Sequence, residues 1–256
     1  MNTMHFLTFA GKSSLDFGIR ISGEGTFNRP KRKYSTHDVQ GRNGALIIDE
    51  NSFDNIEVKY PSFIIDDMPE RIENFVNYMG SFAGYQRIED TYAPDIFRLG
   101  QFKTEISMES KGYMNRQGEF DIVFNCKPQR FLKSGEIAIT FENAGNIWNR
   151  TNFEAQPLIR VYGTGAGTVG IGPYHITISE IDDYVDIDCE LMDAYKGLVN
   201  CNKNVAFNAD SFKIPTGVNG VNFTGLITSV PSTIWKITFV KFALLFVKSD
   251  AVSSIG

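Results

Sequence analysis

PLIRVYGTGAGTVGIGPYHITISE, residues 157–180, is the stretch on which the fold turns. Gly165, Gly167 and Gly170 spell G-x-G-x-x-G directly after the apolar run PLIRVY, the outline of a dinucleotide-binding turn. That turn works only when a helix leaves it, because the pyrophosphate rests on the free N–H groups of the helix's first turn. What leaves it here is PYHITISE, where Ile176 and Ile178 alternate with Thr177 and Ser179 after Pro173. A period of two is the signature of a strand. The segment is therefore expected to be a β-hairpin whose glycine-rich tip uses positive φ at more than one glycine, with no cofactor site.

Further short strands surround it. EIAITF, DYVDIDCELM, NVAFNAD, GVNFTGL and SVPSTIWKITFV follow one another with turn residues between them, a spacing that suggests a β-sandwich. Asp186, Asp188 and Glu190 lie two residues apart, as a cation site or a hydrolase carboxylate pair might require. The alternation with Val185, Ile187, Cys189 and Leu191 explains them more simply as the solvated face of one strand. A calcium loop needs glycine-assisted curvature, and a glycosidase needs carboxylates facing each other across a cleft. No G-x-S-x-G occurs, and His5, His37 and His175 have no recognisable nucleophile beside them, so no catalytic, cofactor-binding or metal-ligating residue is assigned. Asn222-Phe223-Thr224 fits a glycosylation triplet by chance, since nothing points to secretion.

Upstream, FLTFAGKSSLDFGIRISG reads as two short strands around GKSS, and HDVQGRNGALIIDE places the type I′ turn dipeptide Asn43-Gly44 before the strand ALIID. In NIEVKYPSFII, Ile56, Val58 and Tyr60 alternate with Glu57 and Lys59. One main helix is expected in DDMPERIENFVNYMGSFAGY. Asp67 is placed to cap it, with Pro69 in the first turn, Glu70 completing a capping box, and Gly80 or Gly84 ending it. Ile72, Phe75, Val76 and Met79 then form a buried stripe. FRLGQFKTEISMES and GEFDIVFNCKP suit a long hairpin joined by KGYMNRQ. KPQRFLKSGE, 127–136, breaks the apolar alternation with a proline, charges and a Ser-Gly pair, and marks the expected domain boundary.

The 256 residues suffice for one large or two ordinary domains. A 13% aromatic share and 23 glycines favour strands and turns. Residues 1–133 hold 17 Lys/Arg against 18 Asp/Glu and residues 134–256 hold 8 against 12, so neither half offers the cationic face of sequence-specific nucleic-acid binding. The one basic block, Arg29 to Lys33, reads as a solvated loop. Cys126, Cys189 and Cys201 are odd in number and lack a C-x-x-C pair, which fits assembly in a reducing cell better than a secreted disulfide scaffold. MNTMHFLTFAGKSS lacks the charged and apolar regions of a signal peptide. FVKFALLFV, interrupted by Lys241, is far shorter than the ~20 residues of a membrane span.

These blocks carry a family likeness. FLTFAGKSSLDFGIRISG with RPKRKYSTHDVQGRNGALIID resembles the amino-terminal domain of the distal tail proteins of long-tailed, non-contractile bacteriophages. The helix with GYQRIEDTYAPDIFRLGQF and then GEFDIVFNCKPQRFLKSGE is similar to that family's pattern. NFEAQPLIRVYGTGAGTVGI and VDIDCELMDAY look like its carboxy-terminal galectin-like β-sandwich. The resemblance implies a mainly β chain with one main helix: an α+β ring-forming domain over 1–132 and a galectin-like sandwich over 133–256. It implies a non-enzymatic virion protein at the distal end of the tail. There a homo-hexameric ring joins the tail tube protein to tail-associated and receptor-binding proteins and leaves a channel for DNA. The alternative reading is a carbohydrate-binding β-sandwich module contacting the host cell wall. After about residue 230 the likeness fades, because the family's closing strand has paired tryptophans and here Trp235 stands alone.

Overall fold

The computed structural model describes residues 4–23, 29–65, 68–103, 108–111, 117–225, 236–239 and 243–244. The chain divides into two compact units, Met1–Arg130 and Phe131–Gly256.

The first unit contains β1 (Leu7–Phe9), β2 (Lys12–Ser13), β3 (Ile19–Ile21), β4 (Arg32–His37), β5 (Leu46–Phe53), β6 (Ile56–Ile64), α1 (Met68–Gly80), β7 (Gln86–Asp90), β8 (Ile96–Phe102), β9 (Met108–Lys111) and β10 (Gln117–Leu132). Its main sheet runs β2-β1-β7-β8-β10-β6-β3, with β9 paired to the start of β10. The opening segment thus differs from the expected pair of strands around GKSS. β1 turns at Ala10-Gly11 (φ 47 and 91) onto the two-residue β2, and β3 pairs with β6 at the far end of the sheet. The physical reason is the 3₁₀ turn Ser14–Phe17. The buried Ser14 hydroxyl accepts from Leu7 N and donates to Ile19 O, while Ile21 N donates to His5 O. Those bonds draw the two ends of the sheet toward each other, so the sheet curls.

Inside the curl, Ile72, Phe75 and Met79 of α1 share one buried cluster with Phe9, Val58, Tyr60, Ile122 and Phe124, and Val76 packs against it half-buried. Phe9 stacks on Phe124 at 5.4 Å, and Phe75 meets Phe102 edge-on at 6.2 Å. Asp67, the expected cap, lies outside the described residues; Gly80 is the helix's last residue and Gly84 has the left-handed φ of 73 in the turn after it. β6 keeps the alternation read from its sequence, with Ile56, Val58, Tyr60 and Ile64 inward. KPQRFLKSGE does not interrupt the strand as its composition suggests. β10 continues through Pro128 to Leu132 before a 3₁₀ turn at Lys133–Glu136, and the division between the units falls inside it.

The second unit holds β11 (Ile139–Phe141), β12 (Gly145–Asn149), β13 (Leu158–Ile171), β14 (Tyr174–Asp188), β15 (Asp193–Lys196), β16 (Val199–Asn200), β17 (Val205–Phe207), β18 (Gly217–Gly225) and β19 (Lys236–Phe239). YHITISE and DYVDIDCELM form one continuous strand, β14, which ends at Asp188. β13 and β14 pair along their whole length, and each changes partner halfway. Residues 159–162 of β13 pair with β19 and 167–171 with β18, while β14 pairs with β17 near its start and with β15 at its end. The register shifts between Gly165 and Gly167, where the long ribbon passes from one set of partners to the other. Such a bulge bends a strand pair and lets it wrap a core. Val161, Val169, Ile171, Ile176, Ile178, Ile187 and Phe212 fill that core.

The three glycines are therefore not the hairpin tip, which is Gly172-Pro173. Gly165 alone of the three has a left-handed φ, +93, at the bulge. At Gly170 a Cβ would come within 2.2 Å of Asn222 Oδ1 on β18, so the exposed Asn222 side chain would have to turn aside. The same contact gives Asn222 a packing role.

Replacing Gly170 with Ala should cost less than about 1 kcal/mol, because the exposed Asn222 side chain can take another rotamer. Combining it with Asn222→Ala, which removes the clashing atoms, should recover most of the loss in a thermal-unfolding measurement. Cys126 and Cys189 are buried, and burial pushes the Cys126 thiol up to about 12 and raises Cys189 likewise. Cys201 is partly exposed. A disulfide reagent at pH 8 should therefore modify one thiol per folded chain quickly, and Cys201→Ser should abolish that reaction.

Candidate assembly surface

The residues that chemistry would use do not converge. Gly165, Gly167 and Gly170 lie within β13, and β14 follows where a nucleotide site needs a helix. Asp186, expected on a solvated face, is instead buried and paired fork to fork with Arg160, at 2.5 and 2.7 Å. The reason is register: Arg160 and Asp186 are direct cross-strand partners, so their side chains meet over the sheet. Asp188 accepts from Glu190 N and Leu191 N and caps the turn that ends β14. Leu191 consequently points outward, 72% exposed, and breaks the alternation assigned to it.

His5 is stacked on Tyr92 and bonded to Thr91 Oγ1, whereas His37 sits on β4 and His175 on β14. Among the described residues no group of three or more His, Cys, Asp or Glu could hold a metal ion. No described helix is long and apolar enough to cross a membrane.

The feature that does stand out is the hairpin β4–β5. It forms a two-stranded sheet of its own. Arg32, in the basic block read as a loop, is the first residue of β4. Its guanidinium pairs with Asp49 at 2.5 Å and lies over the Phe53 ring, and Lys33 reaches Asp54 at 3.6 Å. Arg29 to Lys31 precede β4, whereas Arg32 and Lys33 lie on it and pair with Asp49 of β5 and with Asp54 just after β5. Exposed ion pairs of this kind add little stability. Asn43-Gly44 is not a two-residue turn. It belongs to a loop over 38–45, held by Arg42 N donating to Val39 O, with Gly41 and Gly44 at left-handed φ.

Beyond the ion pairs the hairpin is apolar and uncovered. Ile47 is 66% exposed, and Tyr34, Val39, Leu46 and Ile48 are exposed too. The register puts Leu46 and Ile48 on one face with Ser35 and His37, and Ile47 on the other with Thr36. Neither face has a core behind it. A free two-stranded hairpin is marginal in water, and contiguous exposed apolar surface marks an interaction site. Sequence reasoning placed the strand ALIID but not its exposure. The available signal was three consecutive apolar residues, which suits a strand covered on both faces.

No protein-family model and no curated protein sequence matches the chain. Among solved structures it is similar to the SPP1 Dit protein, described as a paradigm of the hub adsorption apparatus of phages infecting Gram-positive bacteria. The TM-score is 0.70 at 11% identity, covering 96% of this chain and all of that one. A chain of the phage p2 baseplate is more distant, at 11% identity and a TM-score of 0.47 over 92% of this chain and 97% of that one. The chain thus has the mainly β, one-helix fold of a phage distal tail protein across both units.

Proposed function

We propose that this protein is a non-catalytic structural component of a phage tail tip. Six copies close into a ring through the first unit, residues 1–132, while the galectin-like second unit, 133–256, projects outward. The ring joins the tail tube to tail-associated and receptor-binding proteins in the virion and leaves a passage for DNA. The observation that carries the reading is the uncovered apolar hairpin β4–β5, on a chain whose fold is that of a phage hub protein. A closed ring uses head-to-tail contacts between two different surfaces, so an arm that finds no cover on its own chain suits it. The near balance of charge over residues 1–133 suits a channel through which DNA slides without being held.

A second reading, a carbohydrate-binding sandwich, has one observation in its favour. Trp148 on β12 is 58% exposed, with the Arg150 guanidinium 4.5 Å from its ring. A flat aromatic beside polar groups is a surface on which a sugar ring can stack.

Light scattering and negative-stain imaging of the purified protein should show hexameric rings. The double substitution Ile47→Asp, Ile48→Asp should leave the thermal midpoint of the isolated chain nearly unchanged, since surface changes away from a core usually cost within about 0.5 kcal/mol. The same variant should shift the protein to monomers at micromolar concentration. A wild-type chain that stays monomeric and has no affinity for tail tube protein would overturn the ring. A glycan array that detects saturable binding lost in Trp148→Ala would favour the second reading.

A further inference from the structure

The inner face of the first unit's sheet ends in two arginines, Arg98 and Arg130, and among the described residues the Nη1 atom of Arg98 has no hydrogen-bond partner. Along β8, Phe102, Gly100 and Arg98 point inward. Along β10, Phe120, Ile122, Phe124 and Cys126 do; Lys127 to Arg130 are all half-buried, and the pleat of the strand, which continues to Leu132, sets Pro128 and Arg130 on that same side. Lys103 N donates to Val123 O, and a Cβ on Gly100 would meet Cys126 Sγ at 2.7 Å. Residue numbers thus rise on one strand as they fall on the other. That register sets Arg98 opposite Pro128, with Arg130 two residues further along the same face.

Arg98 is 6% exposed, and its Nη1 is buried without a hydrogen-bond partner. Asp90, whose charge acts on Arg130, already accepts from other groups. It accepts from Tyr92 N and Ala93 N on Oδ1, at 3.0 and 2.9 Å, and from the Tyr60 hydroxyl on Oδ2 at 2.7 Å. Neither arginine forms an ion pair with a described carboxylate. Arg98 is close enough to Arg130 to depress it, and together with desolvation, the larger cause, this lowers Arg130 to about 10. The face therefore sets two guanidinium charges against one described carboxylate, Asp90, which already accepts three hydrogen bonds from other groups. A buried guanidinium left in this way is costly, and native proteins supply such a group with a partner.

We propose that Arg98 and Arg130 form an oxyanion-binding site, taking a carboxylate or phosphate group between them. The planar guanidinium fork matches both anions, and two forks converging from adjacent strands would supply the charge-assisted bonds that Nη1 lacks. The anion comes either from solution or from an acidic side chain of a second copy. The site is independent of the ring reading, because the solution arm below is read on the chain in any state of assembly.

The test uses the full chain in chloride against inorganic phosphate, sulfate and acetate at matched ionic strength, followed by thermal unfolding. An oxyanion site predicts a saturable rise in midpoint with at least one of the three. Arg130→Gln should weaken that apparent affinity about tenfold or more, and Arg130→Lys should retain part of it, since a lysine keeps the charge and loses the fork. With a solution anion, self-association is the same in wild type and Arg130→Gln. With a carboxylate from a second copy, Arg130→Gln weakens self-association in sedimentation, and excess phosphate does the same to the wild type by competition. Midpoints that respond equally in wild type and Arg130→Gln, together with unchanged self-association, would overturn the proposal.

Discussion

The second unit depends on one bend. A ribbon made of the 14-residue β13 and the 15-residue β14 is too long to serve a single set of partners, and it serves two because it breaks register between Gly165 and Gly167. Before the bend β13 lies beside β19, and after it beside β18, so one hairpin supplies inward side chains to both parts of the core. A side chain at Gly165 would strain the left-handed backbone that the bulge requires, and one at Gly170 would turn the Asn222 side chain aside. The tightness of the glycines is structural. Nothing about it needs a ligand.

The first unit meets a related constraint by other means. Its sheet curls until Ile21 reaches His5, and α1 fills the inside with Ile72, Phe75 and Met79. The curl brings the two ends of the sheet within one backbone hydrogen bond of each other, Ile21 N to His5 O. Against that background the hairpin β4–β5 is conspicuous. It keeps Tyr34, Leu46, Ile47 and Ile48 in water together, whereas elsewhere in the unit large exposed apolar residues such as Met4, Ile65 and Tyr85 occur singly along the chain. Apolar surface left out of a folded chain is free energy held for association, which is why the hairpin and not a cleft carries the functional reading.

Much of the fold was legible in particular residues. The alternation of Ile56, Val58 and Tyr60 named a half-buried strand and its inward face, and the stripe from Ile72 to Met79 named the packing face of the helix. PYHITISE was enough to name the strand β14 after the glycines, because its apolar residues recur with a period of two. The errors had a common origin in pairing. The segment after Phe9 looked like half of a local hairpin, yet β3 belongs to β6, more than thirty residues away. Asp186 looked solvated because alternation reports which side a residue faces. It does not report that Arg160 stands directly across.

What the sequence determined by itself was local: the period of each strand, the amphipathic stripe of one helix, and the absence of any spacing fit for catalysis. These follow from backbone geometry, which repeats every two or 3.6 residues whatever surrounds it. What only the tertiary structure decided was who pairs with whom. It placed the glycines at a bend instead of a tip, buried Asp186, left Ile47 without cover, and gathered Arg98 and Arg130 on one inner face. Burial and partnership are set by contacts between distant segments, and the side chains that make those contacts carry no record of it in their own neighbourhood of the chain.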